Sequence, residues 1–354
     1  MDTITHSLLG GLVVRSVFPA HKSPVSLSNR QRLAVGALAA AFPDIDYLAS
    51  WVDPMIYLTL WHRGITHSLV LLPLWAVLIG ILLAFVFRQR TQWRYITLLA
   101  GVAVLSHILS DLITVYGTQI LAPLSTWRAS VGTTFIIDPW FTVIVLSGFL
   151  LGLKDKPWQA PPLLLAVLVC YVALQATLKH QALTVANHFI QQQGMTNAQP
   201  TALPQPFSPF NWKIIIREDK RYEVAYINLT GGNIVEDKET GFWSEVRRTY
   251  QAANNPGWQT FYRYGDDPDA INQIRELWQN DQLYYFRQFA EIPILYRIDN
   301  NRNDNNGAQT CVWFTDLRYV LPFLTPPFRY GLCRSPNTGW QLHRLGRSEQ
   351  AIKL

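Results

Sequence analysis

The 354-residue sequence predicts an α-helical polytopic membrane domain of five to six helices, followed by a soluble, mainly-β domain. Three observations predict it. Apolar runs long enough to cross a bilayer recur through the first 180 residues. Charge is unevenly spread: residues 1–200 hold 12 Lys/Arg and 7 Asp with no Glu, whereas residues 201–354 hold 18 Lys/Arg and 17 Asp/Glu. Beyond residue 206 the long runs give way to short aromatic and β-branched ones, as strands require.

A span needs roughly 20 apolar residues. Thr3–Phe18 is the weakest segment. As a helix it is about 24 Å long at about 1.5 Å per residue, a short span or a tilted interfacial helix. Leu33–Trp51, Tyr95–Val115 and Phe135–Leu153 are apolar but carry acidic residues. Ser68–Phe87 ("SLVLLPLWAVLIGILLAFVF") has 20 residues without a charge, and Pro161–Leu178 is likewise uncharged. A soluble core buries one or two such runs; five point to a membrane.

Lys and Arg orient the spans. Loops 19–32 (Lys22, Arg30, Arg32), 88–94 (Arg88, Arg90, Arg94) and 154–160 (Lys154, Lys156) share one side if five spans alternate. The opposite loops, 52–66 and 116–134, carry only Arg63 and Arg128. The basic side is expected to be cytoplasmic, which places the N-terminus and everything after Leu178 outside. The domains are then 1–180 in the membrane, 181–206 as juxtamembrane helix and Pro-rich linker, and 207–354 as the extracytoplasmic β domain.

In that last part "NWKIIIRE", "RYEVAYINL", "QLYYFRQF", "ILYRID", "CVWFTDLRYV" and "GWQLHRLG" read as strands. "DDPDAINQIRELWQN" reads as a helix, with Asp267 or Asp269 near its cap and Pro268 in its first turn. Three cysteines without a CxxC pair exclude a disulfide scaffold and a zinc ribbon. Cys311 and Cys333 form a bridge if the domain is extracytoplasmic, or are two buried thiols; both readings stand. Cys170, inside an apolar span, is packing. The first 19 residues lack the basic region and cleavage site of a secretory signal. With no basic stripe on a soluble fold, nucleic acid is a poor partner despite the net charge of +6.

Ionisable groups within spans are costly and concentrate at functional sites. Here they form a layer. His6 is near the outer end of the first helix, and Asp44 and Asp46 end the next. His62 and His67 flank the start of the following one. His107 and Asp111, four residues apart, share one helix face. Imidazole and carboxylate are ligands for Zn²⁺, Mn²⁺ or Fe²⁺. Seven candidates suit two ions, or one with outer residues that orient its ligands. Single residues also have plainer readings. Asp44 after Pro43 suits a helix cap. Asp138 in "FIIDPW" caps or orients. Tyr116 borders the pocket or anchors at the interface. His21, His180, His188 and His343 lie outside the layer. Arg63 and Thr66 in "HRGITHS" are placed to meet an anionic substrate or to orient ligands, and Gly64 permits a tight turn between His62 and the helix that follows.

The motifs "MDTITHSLLGG", "FPDID", "HRGITHS" and "LSHILSDLITVYGT" resemble, in order, those of the YdjM-type membrane-bound metal-dependent hydrolases. That family is described as inner-membrane-associated, with some bacterial members under LexA control. The resemblance covers roughly residues 1–155. It implies His6, Asp44, Asp46, His62, His67, His107 and Asp111 as metal ligands. A more distant resemblance is to zinc-dependent phospholipases C and related nucleases, in which "HILSD" would play the part of an HxxxD motif.

Two functional readings follow. One is a bacterial inner-membrane hydrolase holding one or two Zn²⁺ ions. Metal-activated water would attack a phosphodiester or other ester of a lipid or lipid-linked envelope molecule. Asp46 or Asp111 would be the general base, and Arg63 would assist. The other is a non-catalytic, metal-stabilised membrane scaffold whose extracytoplasmic β domain binds a protein partner.

Overall fold

The computed structural model describes residues 1–19, 27–154, 159–231, 241–303, 307–334, 339–346 and 348–353. Lys22 and Lys156, used above for orientation, and His21 lie outside them. The chain divides into two compact units, Met1–Lys179 with Pro204–Pro209, and His180–Leu203 with Phe210–Leu354.

The first unit is helical. It contains α1 (Thr3–Val17), α2 (Asn29–Ala41), the single turn α3 (Pro54–Ile56), α4 (Leu72–Val86), α5 (Trp93–Leu112) and α6 (Pro139–Gly152). Helix α7 (Ala160–Gln193) begins here. Among the described residues three helical stretches are long and apolar enough to cross a membrane: Asn29–Trp51, Arg90–Leu112 and Ala160–Gln193. A fourth arises if Pro54–His67 and Leu72–Val86, bent by 71°, count as one span.

Local chemistry explains where the segments depart from uniform spans. Asp2 caps α1 by accepting from the Thr5 backbone N–H. Ser28 and Gln31 form a reciprocal cap on α2. That helix ends at Ala41 because Pro43 cannot extend the α-helical hydrogen bonding, and 3₁₀ turns run on from Phe42 to Trp51. The uncharged Ser68–Phe87 run is not one helix. Ser68 Oγ accepts from the N–H groups of Val70 and Leu71, so α-helix starts only at Leu72. Asp138 caps α6, accepting from the N–H groups of Trp140 and Phe141, and limits it to 14 residues. At about 1.5 Å per residue such a helix falls short of the hydrocarbon thickness. Arg32, counted above with a cytoplasmic loop, is fully buried and donates to Leu27 O, Phe18 O and the Tyr95 hydroxyl.

Two apolar clusters hold the helices. One joins Val35, Ala39, Ile79, Leu83, Leu99 and Val104 of α2, α4 and α5. The other joins Leu9, Phe141, Val145 and Leu168 of α1, α6 and α7. Gly10 and Gly36 bring α1 and α2 into backbone contact, since a Cβ on either would overlap the other's carbonyl.

The second unit carries two sheets. Strands β1 (Gln199–Pro204), β2 (Asn211–Glu218), β3 (Arg221–Asn228) and β4 (Gln251–Ala252) lie in that order, with β5 (Gln259–Tyr262) also paired to β3. Strands β6 (Pro293–Asn303), β7 (Gly307–Asp316), β8 (Arg329–Arg334), β9 (Gln341–Leu345) and β10 (Ala351–Lys353) form an antiparallel meander. Helices α8 (Phe242–Thr249), α9 (Ile271–Gln279) and α10 (Tyr284–Phe289) complete the unit. Residues 211–216 are buried on both strand faces, and Trp212 and Trp313 are fully buried. Cys311 and Cys333, directly opposed on β7 and β8, are bridged.

Four expectations need correction here. "QLYYFRQF" is a 3₁₀ turn and α10, because Leu283, Phe286 and Phe289 bury at a helical spacing of three. "LRY" at 317–319 is a 3₁₀ turn capped by Asp316 and not strand. Helix α9 starts after Ala270; Asp267 and Pro268 precede it, and the Asp267 carbonyl receives its first N–H groups. The juxtamembrane helix is an uninterrupted continuation of α7, and part of the expected linker is β1.

Candidate metal centre

Four pieces of chain bring His and Asp together. Helix α1 supplies His6, the 3₁₀ stretch after α2 supplies Asp44 and Asp46, the stretch before α4 supplies His62, Arg63 and His67, and α5 supplies His107 and Asp111. His6, His67, His107 and Asp111 are fully buried. Two groups of side chains have donor atoms close enough to hold a metal ion: His6, Asp44 and His107, and His67, His107 and Asp111. Their donor atoms lie within 4.8 Å of one another in each group.

The histidine tautomers follow from their outer partners. His107 Nδ1 is 2.6 Å from the Ala40 carbonyl oxygen, which only accepts, so Nδ1 bears the proton. His6 Nδ1 is 3.0 Å from Ser110 Oγ, whose own hydrogen goes to the His107 carbonyl, so Nδ1 donates there too. His67 Nδ1 faces Thr66 Oγ1 at 3.0 Å and Asp46 Oδ2 at 3.6 Å. His6 and His107 then each turn an Nε2 lone pair inward, and His67 does the same in the tautomer whose Nδ1–H points to Thr66 Oγ1 and Asp46.

What those lone pairs meet is other acceptors. His67 Nε2 and His107 Nε2 face each other at 3.0 Å. Asp111 Oδ2 is 3.3 Å from the first and 3.5 Å from the second. Asp44 Oδ1 is 3.8 Å and 3.6 Å from the same two nitrogens. His6 Nε2 is 3.1 Å from Asp111 Oδ1, and its ring stacks on His107 with centroids 3.6 Å apart. Asp44 Oδ2 and Asp111 Oδ2 are buried without a hydrogen-bond partner. Convergent acceptors in a dry site repel unless a cation lies among them. An extra proton on one imidazole satisfies one such pair, whereas a divalent ion satisfies a whole donor group, and the donor types suit zinc, manganese or iron.

Two of the seven expected ligands stand apart. His62 Nδ1 bonds the Tyr57 hydroxyl at 2.9 Å and lies 3.4 Å from Asp46. Asp46 Oδ2 accepts from the Arg63 N–H at 2.8 Å. Neither residue enters the two donor groups. Arg63, at a positive φ of 55°, sends its guanidinium to Asp111 Oδ1 at 2.8 Å and to Thr114 Oγ1 at 2.7 Å. The Met1 amine also reaches Asp111 Oδ1, at 2.5 Å. Asp138 lies elsewhere: it receives hydrogen bonds from Tyr171 and Gln175 as well as capping α6. Tyr116 borders the site, its ring 4.8 Å from that of His62.

Sequence reasoning missed Ser110, the Ala40 carbonyl and Arg128. Arg128 donates to the carbonyls of Thr59, His62 and Gly117. Ser110 was readable in principle: three residues after His107 on α5, it shares the face that carries the ligands.

Residues 1–182 match the family described as YdjM inner membrane protein. Over 149 residues the chain is 28% identical to YfhP, an uncharacterized protein of Bacillus subtilis (strain 168), covering 42% of this chain and 45% of that one. The chain thus spans about half the length of the curated relative it matches. No solved structure matches it.

Proposed function

The chain belongs to the YdjM inner membrane protein family, and from the His and Asp side chains that converge in its helical unit we propose that it is a metal-dependent hydrolase acting on a phosphodiester or other ester of a lipid or envelope molecule. The observation that carries the proposal is the set of inward lone pairs and unpartnered carboxylate oxygens on His6, Asp44, His67, His107 and Asp111. Those five are the residues we assign to the ion. His107 Nε2 belongs to both donor groups and has one lone pair, so if two ions bind it serves one of them. A bound divalent cation would supply Lewis acidity toward an ester oxygen and make water acidic enough to attack near neutral pH.

The remaining polar residues hold this arrangement. Arg63 and Thr114 steady Asp111, whose Oδ1 accepts from the Arg63 guanidinium. That commitment favours a positioning part for Arg63 over direct contact with substrate. Asp46 ties the Arg63 backbone to the His62 and His67 imidazoles. Orientation is proposed from the Lys/Arg bias, with the β unit outside the cytoplasm; the Cys311–Cys333 bridge supports that, since such bonds persist in oxidising compartments.

The test is metal analysis of the full chain purified in mild detergent with Zn²⁺ or Mn²⁺ present, beside His67→Ala and Asp111→Ala variants, with phosphodiester turnover measured on the same samples. About one or two ions per wild-type chain are expected, with metal and turnover lost together in the variants. A wild-type chain that takes up no ion refutes the reading. A metal-loaded chain without turnover on any ester would leave the scaffold function in its place.

A further inference from the structure

The stretch that carries Asp44 and His67, with the bracing Asp46 and His62, is not built like a loop in water. From Phe42 to His67 the backbone runs through 3₁₀ turns, the single turn α3, a π-turn over Tyr57–Trp61 and another 3₁₀ turn over Ile65–His67. Such breaks free carbonyl groups. In water, solvent would take them up. Here side chains from other segments do. Tyr116 OH donates to Leu58 O at 2.7 Å, Arg128 to Thr59 O at 2.9 Å and to His62 O at 3.1 Å, and Trp75 Nε1 to Ile65 O at 3.0 Å. Gln119 Nε2 reaches Leu60 O at 3.4 Å. Irregular backbone within a membrane needs this internal satisfaction, because hydrocarbon offers no partner.

The outward side of the same stretch is apolar. Trp51 and Val52 are each 78% exposed, Tyr47 60% and Ile65 53%, and Leu60 and Trp61 are exposed beside them. Exposed Trp and Tyr mixed with aliphatic residues are the composition of a membrane–water interface. Its first part, Phe42–Trp51, is the end of the apolar stretch Asn29–Trp51, and its last part, Pro54–His67, leads through a 71° bend into α4. What covers this face is therefore the same bilayer that covers the spans.

We propose that Phe42–His67 is a re-entrant segment seated in the bilayer interface, so that the metal centre lies at headgroup depth and faces an ester-linked headgroup of a lipid resident in that leaflet. The placement stands on the backbone and the exposed side chains; the ester rests on the hydrolase reading above.

The full chain in nanodiscs of phosphatidylethanolamine and phosphatidylglycerol tests it. With Cys170→Ala removing the free thiol, a nitroxide is attached at Tyr47→Cys or Trp51→Cys, and at Asp281→Cys in the β unit as an exposed reference. Labels at 47 and 51 are expected to collide more with oxygen than with a water-soluble nickel chelate, and the label at 281 the reverse. Chelate collision at 47 and 51 equal to that at 281 overturns the placement. Unchanged metal content in both variants guards against misfolding.

A second arm compares wild-type turnover of phosphatidylglycerol in the bilayer with that of its deacylated, water-soluble diester. A kcat/KM about tenfold or more in favour of the bilayer form is expected. Equal values overturn the lipid-facing opening. If a metal-loaded chain consumes neither, the lipid-headgroup ester falls, while the label positions still decide whether the segment is re-entrant and turnover of other esters still decides the hydrolase reading.

Discussion

Replacing Thr66 by Val should weaken metal binding without disturbing the fold. Val keeps the shape of Thr and removes the oxygen that lies 3.0 Å from His67 Nδ1. The ligand itself remains, as does the apolar surface of the half-buried side chain. What is lost is a hydrogen bond at Nδ1 that holds the imidazole with Nε2 facing the proposed ion. Removing such an outer partner typically lowers metal affinity about 10- to 100-fold. Asp46 Oδ2 remains 3.6 Å from the same nitrogen and retains part of that control, which favours the lower end. The expected loss is therefore about tenfold in Kd, or about 1.4 kcal/mol. Titration of the detergent-solubilised chain against a chromophoric chelator reads it directly, with circular dichroism as the check on folding. His67→Ala should lose far more. Thr66→Val combined with Asp46→Ala should lose more than the two single changes together, because both address one nitrogen. Unchanged affinity in Thr66→Val and in His67→Ala alike would refute the assignment of His67 as a ligand.

Other outcomes follow from the packing and from the β unit. Gly36→Val places a side chain against the Gly10 carbonyl; it should cost about 1–3 kcal/mol and weaken metal binding by displacing His6, read by thermal unfolding and chelator titration. Burial pushes the Lys213 ammonium down to about 7, against a weaker upward pull from Asp316. Between about pH 7 and 10.5 the unfolded chain holds a proton that the native chain has shed, so stability should rise with pH by up to about 1.4 kcal/mol per unit and level off below 7. Urea midpoints across that range measure it, and Lys213→Met should flatten the slope. Cys311→Ala with Cys333→Ala opens a link between residues 22 apart in sequence and should cost the β unit about 3 kcal/mol, seen as a lower urea midpoint.

Much of the helical unit is legible in the sequence because hydrophobic runs and Pro or Asp punctuation act locally. The Asp138–Pro139 start of α6 and the Pro43 stop of α2 are examples. The break before α4 is not legible in that way, since Ser68 and the Leu69 N–H find partners at Ile120 and Ala122, over fifty residues away. Residue type alone selected seven donors, but the division into five that converge and two that brace them depends on where Asp46 and His62 point. Those directions come from Tyr57 and from the backbone of Arg63, at the π-turn and at a residue of positive φ. The Ala40 carbonyl carries no side-chain signature at all. In the β unit, "QLYYFRQF" has strand-like composition, yet Arg287 donates to the carbonyls of Trp278 and Asn280, and the aromatic spacing then selects helix.

His6 meets Ser110 and Asp111 across sequence separations of 104 and 105 residues, and His67 meets His107 across 40. Each helix can form in lipid by itself, because its backbone bonds are local. The constellation exists only after α1 and α5 have docked. A cation bound there would work as a clasp between separately inserted helices, and chelating it should slacken their mutual register while leaving each one wound.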